Sequence, residues 1–212
     1  MYKNYLFDFD GTLVDSMPTF ASVMLKILDE HGIKYTDDIV KIITPLGYNG
    51  TARYFVELGL DMSCEDAVAL MKSYAKEEYE KRIQAKESVP EVLKRLKQDG
   101  CSLNILTASP HSMLDCCLIR LGLFDLFTNV WSCEDFNTGK DNPDIYRMAA
   151  ERLGVGVSDV LFLDDNCVSL ETAKSAGMKV CGVYDSSSDD YVEKIKSLAD
   201  YYVYSFRELS EI

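Results

Sequence analysis

The sequence predicts a doubly wound α/β fold: a parallel sheet core interrupted near its start by an all-helical insert. Three observations carry this. An apolar run, Tyr5-Leu6-Phe7, breaks into Asp8, Phe9, Asp10 and Gly11, as a strand buried on both faces does where it leaves a sheet. Between Ser16 and Ser88 no strand pattern occurs. From Pro90 onward helical and strand patterns alternate with short connections, the rhythm of βα units joined by right-handed crossovers.

Taken in order, the opening strand leads into a helix in which Phe20, Val23, Met24, Ile27, Leu28 and His31 recur at helical spacing, with Gly32 as its stop. Thr36 can cap a short helix carrying Ile39, Val40, Ile42 and Ile43. Thr44 to Gly50 reads as a loop, punctuated by Pro45, Gly47 and Gly50. A helix then runs through Tyr54, Phe55 and Leu58 to Gly59, and Ser63 can cap a long one with Ala67, Leu70, Met71, Tyr74 and Ile83 on its apolar side. Its charges from Lys76 to Arg82 form a solvated side. Pro90 opens a helix that Gly100 ends, and Cys101 to Thr107 is the next strand. A helix from Pro110 to Gly122, a short strand over Asn129 to Trp131 and a helix from Pro143 to Gly154 follow. Asp159 to Asp164 is a strand, and Leu170, Ala173 and Ala176 lead a helix to Gly177. Lys179 to Tyr184 is a strand, Ser186 to Ser188 a turn-length loop, and Val192, Ile195 and Leu198 mark a last helix before an edge strand over Tyr202 to Tyr204.

The balance of the chain excludes several classes of function. Hydrophobic residues make up 47% of its 212 residues, enough for a sizeable core rather than disorder. A net charge of −13 argues against non-specific binding to nucleic acid or to an anionic membrane. No uncharged apolar run approaches the ~18 residues of a membrane span, and Asp8 and Asp10 interrupt the only apolar stretch near the start, unlike a signal peptide. The seven Cys lack a C-x-x-C pair and read as reduced thiols of a cytoplasmic protein.

The chemistry sits at strand ends. Asp8 and Asp10 lie two residues apart, so on a strand both side chains can point into the same space. Paired acids at the carboxyl end of a buried strand are costly without a positive neighbour, and hard oxygen ligands beside a phosphate suit Mg²⁺. A surface turn is the plain alternative. An EF-hand is not, because Phe9 is apolar and Met17 stands where the loop's Glu belongs. The second strand ends in Thr107-Ala108-Ser109 just before a helix start, where an anion is favoured; otherwise Thr107 is a strand-end hydroxyl and Ser109 an N-cap. Lys140 precedes the helix at Pro143 and on its own reads equally as a solvated lysine. Asp164-Asp165-Asn166 closes a later strand and can also be an Asx turn. His31 packs near a helix end, and His111 is an exposed helix-start residue close to the anion loop.

In order, D-x-D-G-T, a Thr, a Lys and an Asp pair resemble the four motifs of the haloacid dehalogenase-like hydrolases, over essentially the whole chain. The helical insert is similar to the small cap of the phosphoglycolate phosphatase and β-phosphoglucomutase branch. The resemblance implies a Rossmann-like core over 1–15 and 88–212, a cap over 16–87, and a Mg²⁺-dependent phosphatase of a small phosphorylated metabolite. It implies roles as well. Asp8 would be the nucleophile that becomes phosphoaspartate, and Asp10 the acid and then base. Thr107 and the Ala108 N–H would hold the phosphoryl group, with Lys140 offsetting charge. The metal would lie among Asp8, the Asp10 carbonyl, Asp165 and Asp164. In the cap, Arg53, Tyr48 and Asn49 are candidates for substrate contact. Three departures stand out: Asp141 follows Lys140 where this branch often has Pro, Ser169 stands where some members carry a further Asp, and Phe20 occupies the place of a His in the sugar-phosphate mutases. A phosphosugar mutase is the enzyme alternative, and a non-catalytic binding protein on the same fold the other. A monomer or homodimer is expected, with hinges near Val14 to Ser16 and Gln84 to Val89.

Overall fold

The computed structural model describes residues 2–43 and 46–212. The chain divides into two compact units, one running through Asp15 and resuming over Gln84–Ile212, the other Ser16–Ile83. The first carries the sheet. Its strands are β1 (Asn4–Phe7), β2 (Ser102–Thr107), β3 (Asn129–Ser132), β4 (Val160–Asp164), β5 (Lys179–Val183) and β6 (Tyr201–Val203). All pair in parallel in the order β3-β2-β1-β4-β5-β6. The first strand is central, and the direction of winding reverses between β1 and β4. Such a switch point opens a crevice at the carboxyl ends of the strands.

β1 alternates its side chains between two buried faces. Leu6 joins Leu106, Phe162 and Val180 of neighbouring strands against Ile145, Ala149, Leu170 and Ala173; these come from α7 (Asp144–Leu153) and α8 (Cys167–Ala176). Phe7 faces the other way, with its ring 6.3 Å from Phe127 and 6.1 Å from Phe206. The helices α5 (Val89–Gln98), α6 (His111–Arg120) and α9 (Val192–Leu198) complete the unit. Asn104 of β2 is a polar side chain sealed inside the sheet. Asn104 donates to the Tyr5 carbonyl at 3.1 Å and accepts from Asn129 at 2.7 Å, so its amide is matched rather than stranded. Register aligns Phe7 with both Ile105 and Leu163, which brings the carboxyl ends of β1, β2 and β4 side by side.

The second unit is all helical: α1 (Met17–Glu30), α2 (Ile39–Ile43), α3 (Gly47–Glu57) and α4 (Cys64–Lys81). Met24, Ile27, Leu28, Ile43, Phe55 and Met71 fill its core, and Ser63 caps α4 by accepting the Asp66 N–H at 3.0 Å. The expected loop over Thr44 to Gly50 is corrected in part. Thr44 and Pro45 lie outside the described residues, but Gly47 to Gly50 are the first turn of α3. Each helical glycine costs about 1 kcal/mol relative to alanine; burial of Phe55, Ala52 and Thr51 on one face outweighs it, since a large buried apolar side chain contributes about 1.5–3 kcal/mol. Ser186 to Ser188, expected as a loop, form a 3₁₀ turn that Asp185 caps through Ser187 N–H. Among the described residues no helix is long and apolar enough to cross a membrane.

Candidate active site

Asp8 follows the last residue of β1, and its N–H still donates across the sheet to the Leu163 carbonyl at 2.8 Å. The chain then folds into a tight loop. Leu13 and Val14 N–H both reach the Phe9 carbonyl, at 2.8 and 3.1 Å, and Gly11 N–H reaches Val14 at 3.0 Å. Gly11 has φ +71°, and a Cβ there would stand 2.6 Å from an Asp165 carboxylate oxygen. Only glycine fits this backbone and this approach. Beside it, buried Thr12 donates its hydroxyl to Asp165 Oδ1 at 2.9 Å.

Asp164 ends β4 with no exposed surface. Its Oδ1 accepts the Asn166 N–H at 2.7 Å, and Asn166 caps α8 through the Val168 and Ser169 N–H groups. The Asx turn and the acid pair are therefore both present in the same three residues. Lys140 crosses to this edge from the loop before α7. Its Nζ lies 2.8 Å from Asp8 Oδ1 and 2.7 Å from Asp164 Oδ2. Tyr146 steadies that loop, sharing its hydroxyl proton between the Lys140 carbonyl at 3.0 Å and the Ser169 carbonyl at 3.1 Å.

Carboxylate oxygens of Asp8, Asp164 and Asp165 lie within 4.8 Å of one another, all buried. Burial raises the Asp164 carboxyl to about 7 against the pull of Lys140. Burial, then the charges of Asp164 and Asp8, lifts Asp165 well above the usual carboxylate range. Burial alone would lower the Lys140 ammonium, but Asp164 and Asp8 outweigh it and raise it. One lysine cannot balance three acids. Asp8 Oδ1 is sealed from solvent and accepts no hydrogen bond, since Lys140 meets it at ion-pair distance but off the bonding direction. A crowded set of hard oxygens with an unsatisfied member fits a divalent cation such as Mg²⁺.

The Asp10 carboxylate is not in that cluster. Its Oδ2 accepts from the Ser109 hydroxyl, and Ser109 N–H in turn donates to Thr107 Oγ1 at 3.1 Å. Ser109 is thus no N-cap, a place Pro110 takes in α6; it joins the loop after β2 to Asp10. Thr107 is buried and Ala108 exposed on the same loop. His111, the first residue of α6, lies between Asp115 at 3.0 Å and Asp135 at 2.9 Å, hydrogen bonds that raise its pKa. Tyr48, Asn49 and Arg53 all belong to α3 of the helical unit. Asn49 and Arg53 are exposed, and Tyr48 is half-buried with its ring 5.4 Å from Phe20.

Sequence reasoning missed Thr12, Ser109 and Tyr146. Thr12 and Ser109 stood inside motifs read for their neighbours, and nothing near Tyr146 in the chain marks it.

Comparison with known proteins agrees with this geometry. Residues 5–183 match the family model of haloacid dehalogenase-like hydrolases. The pyrophosphatase PpaX of Bacillus velezensis is 28% identical over 180 residues, covering 84% of this chain and 81% of that protein. A phosphorylated carbohydrates phosphatase of Thermotoga maritima is 27% identical, covering 87% and 86%. Among solved structures, magnesium-bound YfnB of Bacillus subtilis superposes with a TM-score of 0.82 over 99% of this chain and 97% of that one, at 18% identity, which speaks to fold alone. With the family model spanning most of the chain and its motif residues gathered at one edge of the sheet, the chain belongs to the haloacid dehalogenase-like hydrolases.

Proposed function

We propose that this chain, a phosphatase of the family, hydrolyses a small phosphorylated metabolite through a phosphoaspartate on Asp8. The observation that carries the reading is Lys140 set between Asp8 and Asp164 beside the acidic cluster. An Asp8 oxygen attacks phosphorus and the bond to the leaving oxygen breaks. Asp10 gives that oxygen a proton, then takes one from the water that releases phosphate. The Ser109 hydroxyl holds the Asp10 carboxylate on the side of the β2 loop, where Thr107 and the Ala108 N–H receive the phosphoryl oxygens. Lys140 lowers the charge the incoming phosphate meets. Asp8, Asp164, Asp165 and the Asp10 carbonyl would hold Mg²⁺, which when bound supplies positive charge against the carboxylates and the phosphoryl group.

The helical unit would act as the cap over residues 16–83, with Arg53, Tyr48 and Asn49 offered to the non-reacting part of the substrate. A pyrophosphatase and a phosphorylated-carbohydrate phosphatase among the relatives support a small phosphorylated substrate. All seven cysteines are free thiols, which suits a reducing compartment. No observation favours the mutase or a binding protein: the catalytic set is intact, and Phe20 packs on Tyr48.

The test is phosphate release from a panel of phosphoglycolate, hexose phosphates, nucleoside monophosphates and pyrophosphate, with Mg²⁺ and with EDTA. Turnover is expected to need Mg²⁺ and to vanish in Asp8→Asn. Release that survives Asp8→Asn, or no release from any compound, would sink the reading.

A further inference from the structure

The loop carrying Asp8, Asp10 and Thr12 is tied to its surroundings at several points. Two of these ties, Thr12 to Asp165 and Ser109 to Asp10, run through groups the reaction itself engages. A third comes from a residue with no part in the chemistry above. Lys86 Nζ donates to the Gly11 carbonyl at 2.7 Å, to the Tyr184 carbonyl at 2.6 Å and to Asp185 Oδ2 at 3.0 Å. An ammonium has three donors, and all three are used. The lysine side chain is 20% exposed and that of Asp185 4%, so water competes little for these bonds.

The anchor is rigid at both ends. Asp185 Oδ1 accepts from Ser187 N–H and hydroxyl, at 2.9 and 2.6 Å. On the lysine side, Lys86 N–H donates to the Leu13 carbonyl at 3.0 Å, and Ala85 pairs with Val14. Main chain and side chain of one segment thus grip residues 11–14 together. The Gly11 oxygen belongs to the planar peptide that also carries the Thr12 N–H. Holding that oxygen sets the plane of the peptide and hence the place of Thr12, whose hydroxyl meets Asp165. The Asp165 carboxylate occupies the space a Cβ on Gly11 would need, 2.6 Å from where that atom would stand, so a turn of this peptide shifts it against Asp165.

We propose that Lys86 is a positioning residue of the active site: its ammonium, held by three oxygens, fixes the Gly11 carbonyl and with it the loop that presents Asp8, Asp10 and Thr12. The kinetic half of its test rests on the phosphatase reading; the structural half does not. A purely structural ion pair with Asp185 predicts that removing either partner costs stability alike and leaves turnover of the folded protein alone. The positioning role predicts a split, because Asp185→Asn leaves both carbonyl contacts of Lys86 in place.

The experiment uses the full chain with p-nitrophenyl phosphate and Mg²⁺, reading kcat, KM, melting temperature and amide hydrogen exchange over residues 11–14. Lys86→Met is expected to lower kcat by about 10- to 100-fold, as loss of an outer support does, with KM unchanged and exchange at Gly11 to Val14 faster. Asp185→Asn is expected to lower the melting temperature but keep wild-type kcat. Lys86→Gln, which retains a donor, falls between and replaces Lys86→Met if that variant does not fold. Wild-type kcat in the Lys86 variants, or equal losses of kcat in Lys86 and Asp185 variants, overturns the proposal. If the wild type releases no nitrophenol, the phosphatase reading is what fails. Exchange then decides: unchanged protection at Gly11 to Val14 in Lys86→Met overturns the positioning role by itself.

Discussion

Asp164 and Asp165 hold protons in the metal-free fold that ordinary carboxylates would have lost, since burial lifts Asp164 to about 7 and Asp165 well above its usual range. A carboxyl raised on folding makes the fold more stable as pH falls from about 7 toward the unfolded value of about 3.9. A cation displaces those protons. Mg²⁺ binding to this chain is therefore expected to tighten from about pH 6 to about pH 8, by up to about tenfold per pH unit for each proton released. Calorimetry in buffers of different ionisation enthalpy checks it, and pH-independent affinity would contradict the raised carboxyls. The acids were legible in the sequence because polar residues directly after an apolar run are conspicuous. Lys140 needed the resemblance to stand out from other lysines. Thr12, Ser109 and Lys86 were not legible, because their partners lie 153, 99 and 75 positions away and local spacing carries no trace of them.

At the scale of elements, strands and helices were readable where apolar runs end in glycine or proline, and α4 was readable from its Ser63 cap. The order of the strands was not, because pairing between β1 and β4 depends on residues far apart in the chain. The start of α3 was misread for a physical reason: Pro45 and two glycines argue locally for a loop, while the buried face of Thr51, Ala52 and Phe55 argues for a helix only once a core exists to receive it. Glycine also matters where elements meet. A Cβ on Gly182 of β5 would collide with Ile195 of α9 and lie 2.7 Å from the Tyr202 ring of β6. Gly182→Ala is expected to destabilise the chain by about 1–3 kcal/mol, the usual cost of overpacking, with the midpoint of urea unfolding falling accordingly. A wild-type midpoint would show that α9 and β6 give way easily.

For the molecule as a whole, the active site is a place where burying three acids beside one lysine costs the fold stability. Asp165→Asn removes one of the crowded carboxylates while keeping an acceptor for Thr12. It is expected to raise the melting temperature of the metal-free chain by about 2–4 °C per kcal/mol of burial cost relieved, and to remove any further rise that added Mg²⁺ produces in the wild type. A melting temperature below wild type without metal would mean that Asp165 contributes to holding the fold. The central position of β1 has a different consequence, for the growing chain. Asn4 pairs with Ser102 on one side and Val160 on the other, 98 and 156 residues later. At synthesis rates of about 5–20 residues per second, the strand that leads into Asp8 leaves the ribosome before either of its partners. It then waits roughly 5–20 s for its first neighbour and longer for its second. During that time Tyr5, Leu6 and Phe7 present an unpaired apolar edge, while the helical unit of residues 16–83 is complete before either partner strand of β1 has been made.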